Sequence, residues 1–180
     1  ESKGRAPSHA AKDREAIEEG QRLLQEFKRP AEQRQVRLTL ATTDGLAGMH
    51  EESDRQLEML LETDPNDALA NTNLGYQWAE RGVKLAEAEK RIRRALELDR
   101  LQGDGEDGDK AAYLDSLGWV LFRKGDLQEA RKQLERASSM PDGATDGTVW
   151  DHLGDVYFKL KEPQKAKQAW ESALKLFEND

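Results

Sequence analysis

The sequence predicts an all-α fold in which antiparallel helix pairs stack one upon the next. Three observations carry that reading. A Leu-Gly step followed three residues on by a large apolar side chain recurs at Leu74-Gly75 with Trp78, Leu117-Gly118 with Leu121, and Leu153-Gly154 with Tyr157. Each copy is followed by a small, a bulky and a second small residue: Ala88, Ile92, Ala95; Ala130, Leu134, Ala137; Ala166, Trp170, Ala173. The third observation is composition. Of 180 residues, 36% are hydrophobic and 36% charged, too wet for a compact globule but suited to an array whose units touch only their neighbours.

The physics fits helical hairpins. Leu117, Gly118 and Leu121 fall on one face of a helix with a 3.6-residue period. Glycine there admits a close partner helix, and the paired alanines do the same from the opposite side while Leu134 fills the gap. Glycines 48, 82 and 125 stand at the turns between paired helices. In the last pair Lys161-Glu162-Pro163 takes that place, with Pro163 suited to a first helical turn.

From the N-terminus, residues 1–12 show no apolar periodicity and read as a disordered segment. Residues 13–28 carry Ala16, Ile17, Leu23, Leu24 and Phe27 and predict an amphipathic helix ending before Pro30, so that 13–33 reads as the helix of a truncated leading repeat. Gly20 weakens that helix by roughly 1 kcal/mol. A faint first unit spans about 34–67, with Ala41 at the glycine position and Ser53, Leu57, Leu60 and Pro65 following. Asp64-Pro65-Asn66-Asp67 reads as a turn with an N-cap at Asp67. Further units span about 68–110, 111–146 and 147–178, the first of these interrupted by an acidic, glycine-rich insertion at 103–109. The last helix keeps Trp170, Leu174 and Phe177, read as a core stripe. Solenoid ends normally need a polar cap, so this end is expected to continue in a parent chain or to pack on something.

Charge and composition exclude several classes. A formal net charge of -8 repels phosphate backbones and anionic membrane surfaces. No cysteine is present, which removes disulfides, thiol nucleophiles and thiolate metal sites. No apolar run approaches the ~20 residues needed to span a bilayer. No nucleophile has a base at usable spacing, no glycine-rich phosphate loop occurs, and no cofactor is called for. The 103–109 segment superficially resembles a calcium loop, but Gly108 falls where a ligand belongs. His152 with Asp151 and Asp155 is the single histidine–carboxylate cluster, with Asp115 able to join from a neighbouring helix; groove hydrogen bonding is the expectation there, not a metal site.

The residues Trp150, Leu153, Gly154, Tyr157, Ala166, Trp170 and Ala173 match the pattern W-x2-L-G-x2-Y…A-x3-F, and the glycine-equivalent positions 41, 75, 118 and 154 lie 34, 43 and 36 residues apart. The sequence thus resembles the tetratricopeptide repeat family, whose period is ~34 residues, over about 34–178, with wording like that of large bacterial members. The resemblance implies a right-handed superhelical solenoid and a non-catalytic protein–protein interaction scaffold that binds a peptide in its concave groove. The groove residues it implies are Asn73, Tyr76, Asp115, Trp119, Phe122, Asp151, His152, Asp155 and Phe158. The cationic clamp of carboxylate-gripping members is missing, and the acidic groove points instead to a neutral or basic partner with apolar anchors. The alternative is an assembly module that makes contacts through repeat ends or its convex face and holds no groove ligand. Compartment, cytoplasmic or envelope, and oligomeric state stay open.

Overall fold

The structure is a computed structural model that describes residues 7–102 and 110–178. The acidic insertion 103–109 and residues 1–6 lie outside the described residues. Among the described residues are nine α-helices, one 3-10 turn and no strand. The helices are α1 (Pro7–Glu26), α2 (Pro30–Leu46), α3 (His50–Thr63), α4 (Ala68–Arg81), α5 (Leu85–Gln102), α6 (Ala111–Lys124), α7 (Leu127–Ser139), α8 (Gly147–Lys159) and α9 (Pro163–Phe177). The chain divides after Ala70, inside α4, into two compact units.

The first unit contains α1 to α3. Its α1 begins six residues before the apolar periodicity does. Pro7 suits a first helical position, and the exposed Ala11 and Lys12 lie in the helix by propensity without contributing to a core face. The expected disorder of residues 7–12 therefore gives way to helix. Ile17, Val36 and Leu40 form a small core, with Leu23, Leu24 and Phe27 packed against it. Gly20 turns out to be a contact: a Cβ there would lie 2.6 Å from Leu40 Cδ2. α2 and α3 are joined by the Gly48 turn (φ 81°) and by the Ser53 hydroxyl, which donates to the Ala41 carbonyl at 2.5 Å. Asp67 accepts from the Ala70 N–H at 3.0 Å and pairs with Arg34, capping the start of α4. Burial opposes its charge, but the Arg34 guanidinium and the Ala70 N–H outweigh that and hold its carboxyl below the usual aspartate range.

The second unit contains the rest of α4 and α5 to α9. Each motif glycine lies at a tight helix crossing. A Cβ on Gly75 would come within 2.7 Å of Ile92 Cγ1, and one on Gly118 within 2.5 Å of Leu134 Cγ. A Cβ on Gly154 would collide with the Trp170 indole. The flanking Ala88, Ala95, Ala130, Ala137 and Ala166 are wholly buried. Gly125 (φ 90°) ends α6 in the left-handed conformation, its N–H bonded to the Phe122 carbonyl at 2.9 Å. Lys161 takes the matching place after α8 at φ 61°, its N–H bonded to Phe158 O at 3.0 Å. Adjacent hairpins are also tied at their edges. The Tyr157 hydroxyl donates to Glu135 at 2.9 Å, and Arg131 reaches Glu162 at 3.3 Å.

Two stability effects follow. Gly118→Val forces Leu134 out of its seat, and urea unfolding should show a loss of about 1–3 kcal/mol. Asp44 in α2 is 2% exposed, and one carboxylate oxygen has no hydrogen-bond partner. Burial, with Glu52 adding repulsion, raises its pKa. A carboxyl that binds its proton more tightly when folded loses stability as pH rises above its unfolded value. Asp44→Asn should therefore raise the melting temperature at neutral pH, with the gain shrinking below about pH 4.

Candidate functional site

Helices α4, α6 and α8, the first helices of their hairpins, present one shared surface in the second unit. Its centre is an aromatic stack. The Trp119 ring of α6 lies 4.1 Å from the His152 ring of α8 at 15°, and Phe122 also stacks on Trp119, at 5.0 Å. Tyr76 of α4 approaches His152 at 6.2 Å. His152 Nδ1 lies 2.8 Å from Asp115 Oδ1 on α6, and both residues are buried. With its proton on Nδ1 the imidazole donates to that carboxylate. Arg123 sits over the Trp119 ring, 5.7 Å from its centroid, and donates to the Glu80 carbonyl at 2.6 Å, linking α6 to α4.

The predicted site residues thus separate into two groups. Asp115, Trp119 and His152 are buried and bind α6 to α8, so they build the surface rather than line it. Asn73, Tyr76, Phe122 and Asp155 are half-buried, and Asp151 and Phe158 are exposed. Phe158 stands apart from the stack, 5.7 Å from Trp170 at the hairpin of α8 and α9. The Trp119 indole N–H is buried without an acceptor. Asp146 was not singled out by sequence; it caps α8 by accepting from the Thr148 N–H at 2.8 Å, and its charge also reaches Tyr76.

The electrostatics are one-sided. Burial raises the Tyr76 pKa, and the carboxylates of Glu80, Asp115, Asp146 and Asp151 push it further in the same direction. Burial works against a charged His152, but the Asp115 hydrogen bond, with the charges of Asp115, Glu80 and Asp151, overcomes it and holds the pKa above the ordinary histidine value. Burial and Asp151 raise the Asp155 carboxyl, while a Trp170 hydrogen bond, His152 and Lys159 pull it back. The floor is therefore aromatic and its surroundings are negative. The Ser116 hydroxyl, next in sequence to Asp115, donates to Ala112 O at 2.9 Å in its own helix. No group of three or more acidic or histidine side chains among the described residues could hold a metal ion. Nor is any described helix long and apolar enough to cross a membrane.

Comparison with known proteins gives a consistent picture. Tetratricopeptide repeat family models match residues 68–142 and 147–180. A TPR repeat-containing protein of Pseudomonas aeruginosa is 31% identical over 102 residues, covering 57% of this chain and 15% of its own length. The type IV pilus assembly protein PilF of the same organism is 30% identical over 133 residues, 73% of this chain and 49% of that protein. The chain therefore spans half or less of the length of these two relatives. A solved Pseudomonas aeruginosa PilF structure superposes with a TM-score of 0.68 at 26% identity, covering 85% of this chain and 65% of that one. A crystal structure of MamA superposes with a TM-score of 0.62 at 18% identity, covering 91% and 87%, and shares the fold.

The buried pair makes stability depend on pH. Folded His152 holds its proton more tightly than the unfolded chain does. Its contribution is full below about pH 6.5 and is lost as pH climbs through the raised folded value. Asp115→Asn should cost about 1–3 kcal/mol at pH 6. The difference from the parent protein should narrow at alkaline pH, and the His152 ring-proton titration followed by NMR should move to lower pH.

Proposed function

The chain belongs to the tetratricopeptide repeat family, of the bacterial type, and on that premise we propose that it holds a neutral or basic protein segment with apolar anchors against the surface of α4, α6 and α8. It is a protein–protein interaction scaffold. The finer reading rests on one observation: the carboxylates of Glu80, Asp115 and Asp151, one from each helix, and that of the α8 cap Asp146 act together on the half-buried Tyr76 hydroxyl above an aromatic floor. A partner's lysine or arginine placed there gains from those charges and from the ring faces, as Arg123 already does over Trp119. Phe122 and Tyr76 offer area to apolar side chains at small entropic cost. No step of covalent chemistry enters this reading. PilF is named for type IV pilus assembly, and a place in the assembly of a multi-protein complex is the corresponding role for this chain.

The experiment uses fluorescent peptide arrays sharing apolar anchors and differing in flanking charge. Lysine- and arginine-flanked peptides should bind best, with affinity falling as salt rises. Glu80→Gln with Asp151→Asn, both at exposed positions, should weaken them about tenfold. Tyr76→Ala should weaken binding further, whereas Trp119 is unsuitable for substitution because it is buried. Preferential binding of acidic peptides, or indifference to both substitutions, would sink the proposal.

A further inference from the structure

The first unit holds a cavity of about 360 Å³ between the start of α2 and the end of α3. That is the size of a small-molecule site. Pro30, Ala31 and the buried Leu60 give it apolar walls, and Lys28, Arg34 and Arg37 bring cations to it. The two arginines lie one helical turn apart on α2 and are used differently. Arg34 turns the Nε and Nη2 edge of its guanidinium to Asp67, with Nε on Oδ2 and Nη2 3.0 Å from Oδ1. Asp67 also accepts from the Ala70 N–H, so its charge is taken up. Arg37 makes its hydrogen bonds through Nη1 alone, to Gln56 Oε1 at 2.8 Å and to Met59 Sδ at 3.4 Å, both on α3. Its Nε and Nη2 have no acceptor among the described residues. Lys28 donates to the Gln25 carbonyl at 2.6 Å and, like Arg37, has no carboxylate partner among the described residues. Against these two cations the rim sets the charge of Asp64, which accepts from the Asn66 N–H at 3.0 Å. The cavity is therefore positive in a chain whose formal net charge is -8.

We propose that this cavity binds a small organic acid, its carboxylate held by the open edge of Arg37 and its apolar body against Leu60, Pro30 and Ala31. Arg34 and Asp67 are the chain's own example of that two-bond contact. Gln56 and Met59 fix the Arg37 guanidinium through Nη1, so less side-chain freedom is lost when the acid arrives. Lys28 adds charge at the rim. The site lies wholly in the first unit and does not depend on the ligand proposed for α4, α6 and α8. It is also separate from the clamp missing from the groove, since Arg37 stands on the side of α2 that contacts α3.

Phenylacetate is the probe, titrated into the isotope-labelled full chain and followed by heteronuclear NMR. Saturable shifts should appear in α2 and α3 around Arg37, with a dissociation constant of about 1 mM or tighter. Phenylacetamide keeps the apolar body without the charge, and acetate keeps the charge without the body. Each should bind about tenfold more weakly or worse. Arg37→Gln should weaken phenylacetate by about tenfold, and Arg37→Lys, which keeps the charge but not the fork, should lose most of the same. Both circular dichroism melts should stay close to that of the parent protein, because Arg37 is only half-buried. No saturable shift, equal binding of phenylacetamide, shifts centred on α6 to α9, or an Arg37→Gln or Arg37→Lys variant that binds like the parent would each overturn the proposal. Should a variant unfold, the ligand series and the shift map on the parent protein decide it.

Discussion

The close crossing of paired helices at a residue without a side chain is the constraint on which the second unit depends. Gly75, Gly118 and Gly154 each receive a bulky residue from the returning helix, and the alanines on either side of that residue let the backbones approach. The interlock commits one face of every first helix to its own hairpin. The neighbouring face is left to form the shared surface of α4, α6 and α8. What the surface carries is then a matter of which residues follow the glycine, and here those are Tyr76, Trp119 and Asp155. A framework of small residues thus sets the position of groups that the framework itself does not need.

Inside that surface the division of labour is sharp. The Asp115–His152 pair and Trp119 are withdrawn from solvent and serve as an internal brace between α6 and α8. A buried ion pair costs desolvation and is weak evidence for stability alone; its geometry fixes how the two helices are registered. The carboxylates left at the surface keep a negative potential over the rings, and Arg123 is the chain's own example of a cation settling there. Binding character and structural support therefore come from adjacent positions on the same helices.

The helical hairpins were legible because Leu-Gly and the small–bulky–small triplet recur with a fixed period, and the turn residues agree with it. The site was legible only in outline. Trp119 and Tyr76 occupy equivalent positions in the repeat, yet one is buried and the other half-exposed, because Trp119 meets His152 from the next hairpin. That difference lies in a contact between residues 33 positions apart, which no local pattern encodes. The start of α1 was missed because propensity extends a helix past the residues that bury a face. Gly20 looked like a defect until Leu40 was seen to fill the space above it. Asp44 gave no signal at all, since a buried carboxylate reads in sequence like any surface aspartate.

Lys161 has a consequence for how the array comes apart. Its neighbour in the repeat, Gly125, adopts the left-handed backbone freely, whereas a lysine at φ 61° carries strain of roughly 1 kcal/mol. The hinge between α8 and α9 is thereby held against its residue's own backbone preference, as is Lys84 (φ 46°) in the turn between α4 and α5. Strain at that hinge favours local opening, so amide protons around Lys161 should exchange with solvent sooner than those of α6 and α7. Anything that clasps α9 suppresses those openings first, so occupancy of that helix is written into local exchange rates before it alters global unfolding.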